Sequence, residues 1–278
     1  MKRILSVQDI SCVGKCSLTV ALPIISAMGS ECAILPTAVL STHTMFNGFT
    51  FRDLTDEIAP IGAHWKKEGL KFDAIYTGYL GSFDQMKLVR DLINDFKTPD
   101  NIVFIDPVMA DNGKLYPGFT VEFAREMAKF CAAADVIVPN MTEACFMLDI
   151  PYMASGYTEK QVKDILKRLC GLGAKTAVLT GTRFENGKVG FMGYDSVKDE
   201  FFSYVHRHIN VSFHGTGDVF SSTAVGALTA GRSLPEALQI AADYTVDCIQ
   251  LTMDNPEHVN YAVEFERGLP ALIRRMGL

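Results

Sequence analysis

The chain has 278 residues, 48 % of them hydrophobic, and a formal net charge of −6. That length supports a full α/β core. The acidic balance, without any block of lysines or arginines, argues against a nucleic-acid or anionic-membrane binder. No apolar stretch reaches the length of a membrane span, so the expectation is a cytoplasmic protein of small-molecule chemistry with no nucleic-acid or membrane partner.

Taken in order, the chain opens on the apolar run "ILSVQD" (4–9), which Gln8 and Asp9 break long before a secretory leader could form. "KCSLTVALPIISAMG" (15–29) has helical spacing and precedes a second apolar run, "ECAILPTAVLS" (31–41). "FDAIYTGYL" (72–80) reads as a strand, "DQMKLVRDLINDF" (84–96) as a helix and "NIVFIDPVM" (101–109) as a strand. Helix "GFTVEFAREMAKFCAAA" (118–134), strand "DVIVPN" (135–140), helix "TEKQVKDILKRLCGLG" (158–173) and strand "TAVLTG" (176–181) continue the alternation. Two strands at 188–195 and 200–210 read as an antiparallel addition; helices follow at roughly 218–230 and 233–252, and a last one from about 256. Continuous rather than alternating hydrophobicity is what strands buried on both faces require, so the expected fold is a single α/β domain over 1–278 with a doubly wound, mainly parallel central sheet flanked by helices.

The seven cysteines contain no C-x-x-C pair, which argues for reduced thiols and against a disulfide framework or a zinc site. The six histidines contain no H-E-x-x-H. "SCVGKCSLT" is not a P-loop, because Asp9 stands where the first glycine belongs and Cys16 where a hydroxyl must hold magnesium. "GLGAKT" (171–176) lacks the third glycine of a dinucleotide fingerprint, and no G-x-S-x-G elbow occurs.

The turn Gly215-Thr216-Gly217-Asp218 stands just where a helical run begins. Read plainly, Asp218 is a favourable first-turn charge. Read as chemistry, glycines allow a ligand close to the backbone, outward amides favour an anion, and a neighbouring carboxylate can take the proton of an attacking hydroxyl. Several strands also end in polar residues, among them Asp9, Asp106, Asn140 and Thr180, and ligands of parallel sheets bind outside the carboxyl ends of the strands.

With this turn, "LSVQD", "VLSTHTMF", "YTGYLGS", "IDPVMADNGKLY" and "ADVIVPNMTEA" in the same order, the chain resembles the ribokinase-like superfamily and, within it, the pyridoxal (vitamin B6) kinase family. The resemblance implies ATP-dependent phosphorylation of the 5′-hydroxymethyl group of a B6 vitamer. Asp218 would be the general base, and the amides of Gly215, Thr216 and Gly217 would stabilise the transferring phosphoryl group. Asp106 and Glu143 would hold Mg²⁺ through waters, Asn140 would assist, Thr180 and Gly181 would line the triphosphate path, and Asp111 would lie in a mobile segment over the nucleotide. His43, Thr44 and Tyr79 would line the ring pocket. The family's usual serine after "SIQ" is Asp9 here, with Ser11 two residues on; a carboxylate there would meet the ring's 3-hydroxyl, an amine or a protonated ring nitrogen. A homodimer and a monovalent cation such as K⁺ are further implications. The alternatives are a hydroxymethylpyrimidine kinase of thiamin synthesis and, in another class, a non-catalytic protein that binds a vitamer or nucleotide; a dehydrogenase lacks its fingerprint.

Overall fold

The computed structural model describes residues 1–185, 187–211 and 213–278. In chain order the elements are β1 (Arg3–Ser11), α1 (Leu18–Ala27), β2 (Glu31–Leu40), β3 (Phe51–Asp53), α2 (Thr55–Lys67), β4 (Ala74–Thr77), α3 (Phe83–Phe96), β5 (Ile102–Ile105), β6 (Ala110–Asp111) and β7 (Lys114–Leu115). They continue with α4 (Val121–Cys131), β8 (Val136–Ile137), α5 (Met141–Met147), α6 (Glu159–Gly171), β9 (Thr176–Thr182), β10 (Lys188–Asp195), β11 (Glu200–Arg207), α7 (Thr216–Thr229), α8 (Leu234–Met253) and α9 (Phe265–Met276). The fold is α/β, with mainly parallel sheet strands and flanking helices, and its residues group into two compact units.

The first unit comprises 1–78, 98–101 and 209–278. Its strands run in the order β4-β1-β2-β3, with β1 parallel to both neighbours and β3 an antiparallel edge. β1 is buried almost throughout, which explains its unbroken apolar run. Val20 and Ile24 of α1, with Met28 just after it, pack with Val219 and Ala227 of α7, Tyr244 and Cys248 of α8, and Phe265, Leu272 and Met276 of α9. Helix α7 is built largely of small residues and buried on most sides; at Gly226 an added Cβ would come within 2.7 Å of the Met28 sulfur, so glycine sets the approach of α1 to α7.

The second unit comprises 79–97 and 102–208. Here β5, β8 and β9 are parallel, and β10 and β11 add antiparallel strands at the edge. Asp135 ties this unit together, its carboxylate taking Lys97, Lys175 at 2.8 Å and the Val103 amide.

Three sequence expectations change. The last helix starts at Phe265 rather than near 256, because residues 254–264 form turns held by Asn255, whose amide donates to Glu264 at 2.6 Å. Helix α2 was not expected, although Asp56 and Glu57 at its start and Lys66 and Lys67 at its end suit the helix dipole; Pro60 inside it obscures the pattern. The strands expected at 72–80 and 101–109 are each four residues long, since their polar and glycine-rich continuations leave the ladder to form loops.

Candidate active site

In the first unit, α7 begins on Gly215 with φ of 79°, a left-handed conformation that glycine adopts without cost. A Cβ at this point would run into the Lys15 carbonyl oxygen, so the residue is glycine on two counts. The Val219 amide donates to the Gly215 carbonyl at 2.9 Å, and the Thr216 hydroxyl donates to the Phe213 carbonyl at 3.2 Å. Gly215 has no side chain to cap the helix, so the first-turn amides carry no side-chain cap. Gly217 is exposed and Asp218 half-buried in the third helical position.

Facing this turn is the loop 12–17, in which Gly14, Lys15 and Ser17 all have positive φ and Lys15 pairs with Glu266 at 2.9 Å. Asp9 was expected just after the first strand. It lies instead within β1, where the β1–β2 register shifts between Gln8 and Ile10 and β2 carries the extra residue. Asp9 is 5 % exposed and Ser11 1 %, and the Ser11 hydroxyl donates to the Asp9 carboxyl at 3.1 Å. Burial raises the Asp9 pKa against the opposing hydrogen bonds of Ser17 and Ser11. The Cys16 thiol is pushed up to about 12 by burial and then by the charges of Asp218 and Asp9.

His43 uses both ring nitrogens on the backbone. Nδ1 accepts from the Met45 amide at 3.1 Å, which leaves Nε2 to donate to the Tyr261 carbonyl at 3.2 Å. Burial, followed by His214, lowers its pKa and so favours the neutral ring. Its face stacks on His214, with ring centroids 5.3 Å apart, and its edge fills the space beside Gly14. A polar contact from this imidazole to a ligand would require one backbone bond to be given up. Thr44 is exposed.

In the second unit, α5 starts with a capping box: the Asn140 side chain accepts from the Glu143 amide at 3.0 Å, and the Glu143 carboxylate accepts from the Asn140 amide at 2.9 Å. The other Glu143 oxygen accepts from the Met109 amide at 3.2 Å, and the Asn140 amide nitrogen donates to the Ala110 carbonyl at 2.8 Å. Glu143 and Asp106 are 3 % and 7 % exposed. Burial, then the neighbouring Asp106 charge, holds the Glu143 carboxyl well above the ordinary range. Two buried carboxyls in electrostatic contact suit a divalent cation that keeps several waters and needs only one or two carboxylates. Among the described residues no group of three or more His, Cys, Asp or Glu could cage a metal by itself.

Thr180 donates its hydroxyl to the Pro139 carbonyl at 3.3 Å and bridges Asn140. Gly181, with φ of 69°, is the extra residue where the β9–β10 register shifts. Both lie inside β9, as the strand read at 176–181 has them. Asp111 closes a tight hairpin, β6 to β7, through Asn112 and Gly113, both with positive φ; its carboxylate accepts from the Asn112 amide at 2.8 Å. The Asn-Gly pair, read in the sequence as part of a mobile segment, is a strong hairpin signal. Tyr79 is half-buried with its ring 5.6 Å from that of Phe119, which stacks on Phe123 at 4.0 Å.

Residues 25–263 match the family model described as phosphomethylpyrimidine kinase. A Bacteroides thetaiotaomicron protein, a candidate phosphomethylpyrimidine kinase crystallised with pyridoxal, is 40 % identical with a TM-score of 0.92, over 98 % of this chain and 95 % of that one. The Lactobacillus plantarum pyridoxal kinase structure is 29 % identical with a TM-score of 0.90, over 99 % of this chain and 98 % of its own. The pyridoxine/pyridoxal/pyridoxamine kinase of Bordetella bronchiseptica is 26 % identical over 262 residues, 90 % of this chain and 89 % of that protein. The chain therefore belongs to the phosphomethylpyrimidine kinase family of ribokinase-like proteins, with pyridoxal kinases among the relatives that match it along nearly its whole length.

Proposed function

We propose that this chain, acting over 1–278 as one kinase domain, transfers the γ-phosphoryl group of ATP to the 5′-hydroxymethyl group of pyridoxal, pyridoxine or pyridoxamine. The observation that carries the reading is the start of α7: a left-handed glycine cap, amides closed by no side-chain cap, and a carboxylate three residues on. As the substrate oxygen forms its bond to the γ-phosphorus, its O–H proton passes to the Asp218 carboxylate, and the bond from phosphorus to the ADP oxygen breaks. The amides of Gly215, Thr216 and Gly217 stabilise charge on the transferring group.

Asp106 and Glu143, with Asn140, are the residues that would hold Mg²⁺, which supplies charge neutralisation on the phosphates. Asp111, Thr180 and Gly181 are assigned to the nucleotide, and Asp9, Ser11, His43, Thr44 and Tyr79 to the vitamer. For His43 the contact is its ring face or edge, since its nitrogens serve the backbone. A monovalent cation such as K⁺, a homodimer and a cytoplasmic setting belong to the same proposal by family resemblance.

The family model's own description keeps a second acceptor in view, hydroxymethylpyrimidine. An ATP-consumption panel over pyridoxal, pyridoxine, pyridoxamine, hydroxymethylpyrimidine and ribose tests the proposal. Turnover confined to B6 vitamers supports it, and turnover of the pyrimidine alone replaces the acceptor. Vitamer binding without any ATP consumption would show a binding protein on a kinase scaffold.

A further inference from the structure

β11 is an edge strand: it pairs antiparallel with β10 along its whole length and, among the described residues, with no other strand. The His208 amide donates to the Gly187 carbonyl at 2.8 Å, which fixes the phase of this ladder. Even-numbered residues of β11 turn their backbone groups to β10, so Phe201, Ser203, Val205 and Arg207 turn theirs outward. Such an edge is a template for a further strand, and folds usually blunt it with proline, a bulge or a central lysine. β11, with the sequence EFFSYVHR and an unbroken register against β10, has none of these. At its end the Arg207 carbonyl accepts from His206 Nδ1 at 2.9 Å, so the stretch open to a partner is Phe201 to Val205.

The charges are sorted along the strand. Asp199 and Glu200 stand at its start and His206, Arg207 and His208 at its end, so a parallel copy in register sets like against like and an antiparallel copy sets acid against base. Outward residues must meet outward residues, so two identical strands related by a two-fold axis meet with that axis through one residue. An axis at Ser203 sets Phe201 against Val205, Phe202 against Tyr204 and Glu200 against His206, all pairs of kinds that stabilise antiparallel sheets. It also covers Val205, which is 42 % exposed. An axis at Tyr204 sets Phe201 against Arg207 and Ser203 against Val205 instead. The rings of Phe202 and Tyr204 lie 6.4 and 6.1 Å from that of Phe191, so this face is organised before a partner arrives.

We infer that β11 is a self-association surface that fits a second copy of this chain, joined antiparallel about an axis at Ser203 so that the sheet continues from one copy into the other. The homodimer proposed above rests on family resemblance alone; β11 gives self-association a surface that uses none of the residues assigned to ATP, Mg²⁺ or the vitamer.

Sedimentation of the full chain over a range of concentrations tests this, together with melting temperatures. Ser203→Pro removes the central outward N–H, a change that edge strands tolerate, and should weaken self-association roughly 100-fold or more with little change in Tm. Glu200→Arg leaves the backbone alone and should weaken it roughly 3- to 10-fold, and adding Arg207→Glu should restore it because the two ends are then exchanged. Ser203→Cys should crosslink two copies on oxidation beyond the level of the parent, since directly opposed residues lie within disulfide reach, whereas Glu200→Cys should not. Self-association that survives Ser203→Pro, with no crosslink through Ser203→Cys, overturns the β11 surface alone. A parent that stays monomeric at every concentration overturns this surface and the proposed homodimer together. Neither result bears on the acceptor, which the ATP-consumption panel decides.

Discussion

Helices α5 and α7 each carry an acidic residue at the third position of the first turn, and the residue before each helix gives that acid a different role. Before α5 stands Asn140, whose side chain joins Glu143 in a capping box, so the carboxylate is committed to the Asn140 and Met109 amides. Before α7 stands Gly215, which has nothing to offer a box and holds the backbone in a conformation that brings it against Lys15. The acid of α5 is thus bonded into its own helix start through a capping box, and α7 starts without such a box. Glu143 has one lone-pair direction per oxygen already used and a carboxyl neighbour in Asp106, in keeping with its proposed part in holding a cation, and Asp218 is the proposed base.

The largest effect expected from this contrast is in Asp218→Asn. That variant keeps size and packing but removes the base, so kcat should fall about 10²- to 10⁴-fold while nucleotide Kd stays equal or tightens slightly. Measuring kcat, Kd and Tm on the one variant decides it, and near-parental kcat would make α7 as structural as α5.

Glu143→Ala should lower stability in addition to weakening the proposed Mg²⁺ site. It removes one half of a capping box and strands buried backbone amides, so unfolding free energy should drop by about 2–4 kcal/mol, read by denaturant melts. A variant as stable as the parent would mean the box does not hold α5.

Gly215→Asn attempts to turn the start of α7 into that of α5. Asparagine tolerates positive φ, but its Cβ meets the Lys15 carbonyl, so the variant should lose about 1–3 kcal/mol together with part of kcat. Full retention of both would show that the glycine is dispensable.

The smallest effect is in the pH dependence of the ligand-free protein. The Glu143 carboxyl is raised in the folded state, so there the native protein binds more protons than the unfolded chain, and stability falls as pH rises from about 4.5 through the folded value. Glu143→Gln cannot ionise and should flatten that part of the Tm against pH curve. Added Mg²⁺ should offset the loss in the parent and do less in the Gln variant. Superimposable curves for parent and variant would remove the electrostatic coupling from the argument.

The order of the elements was legible because continuous apolar runs and helical periods differ in kind, and β10 was read at its observed bounds of 188–195 from valine, aromatic and turn residues. The glycine-aspartate turn was legible for a local reason: turn-prone glycines and an acidic residue stand together just where a helical run begins. Helix α2 was not, because Pro60 breaks its pattern, and the β6–β7 hairpin was not, because two-residue strands show no alternation. His43 was legible as a motif residue only. Its commitment to the Met45 amide and Tyr261 carbonyl depends on a partner 218 positions away.

By itself, then, the sequence determined which residue types stand at strand ends and helix starts, because propensity, capping and periodicity act over a few residues. Only the tertiary structure decided which acids are already bonded, which are buried and which backbone is strained. Glu143 is held by amides of two segments, Asp9 is buried where the strand register shifts, and Ser17 is held at positive φ. Burial and hydrogen bonding set the charge on a group, and both are properties of neighbours that the chain brings together only when it folds.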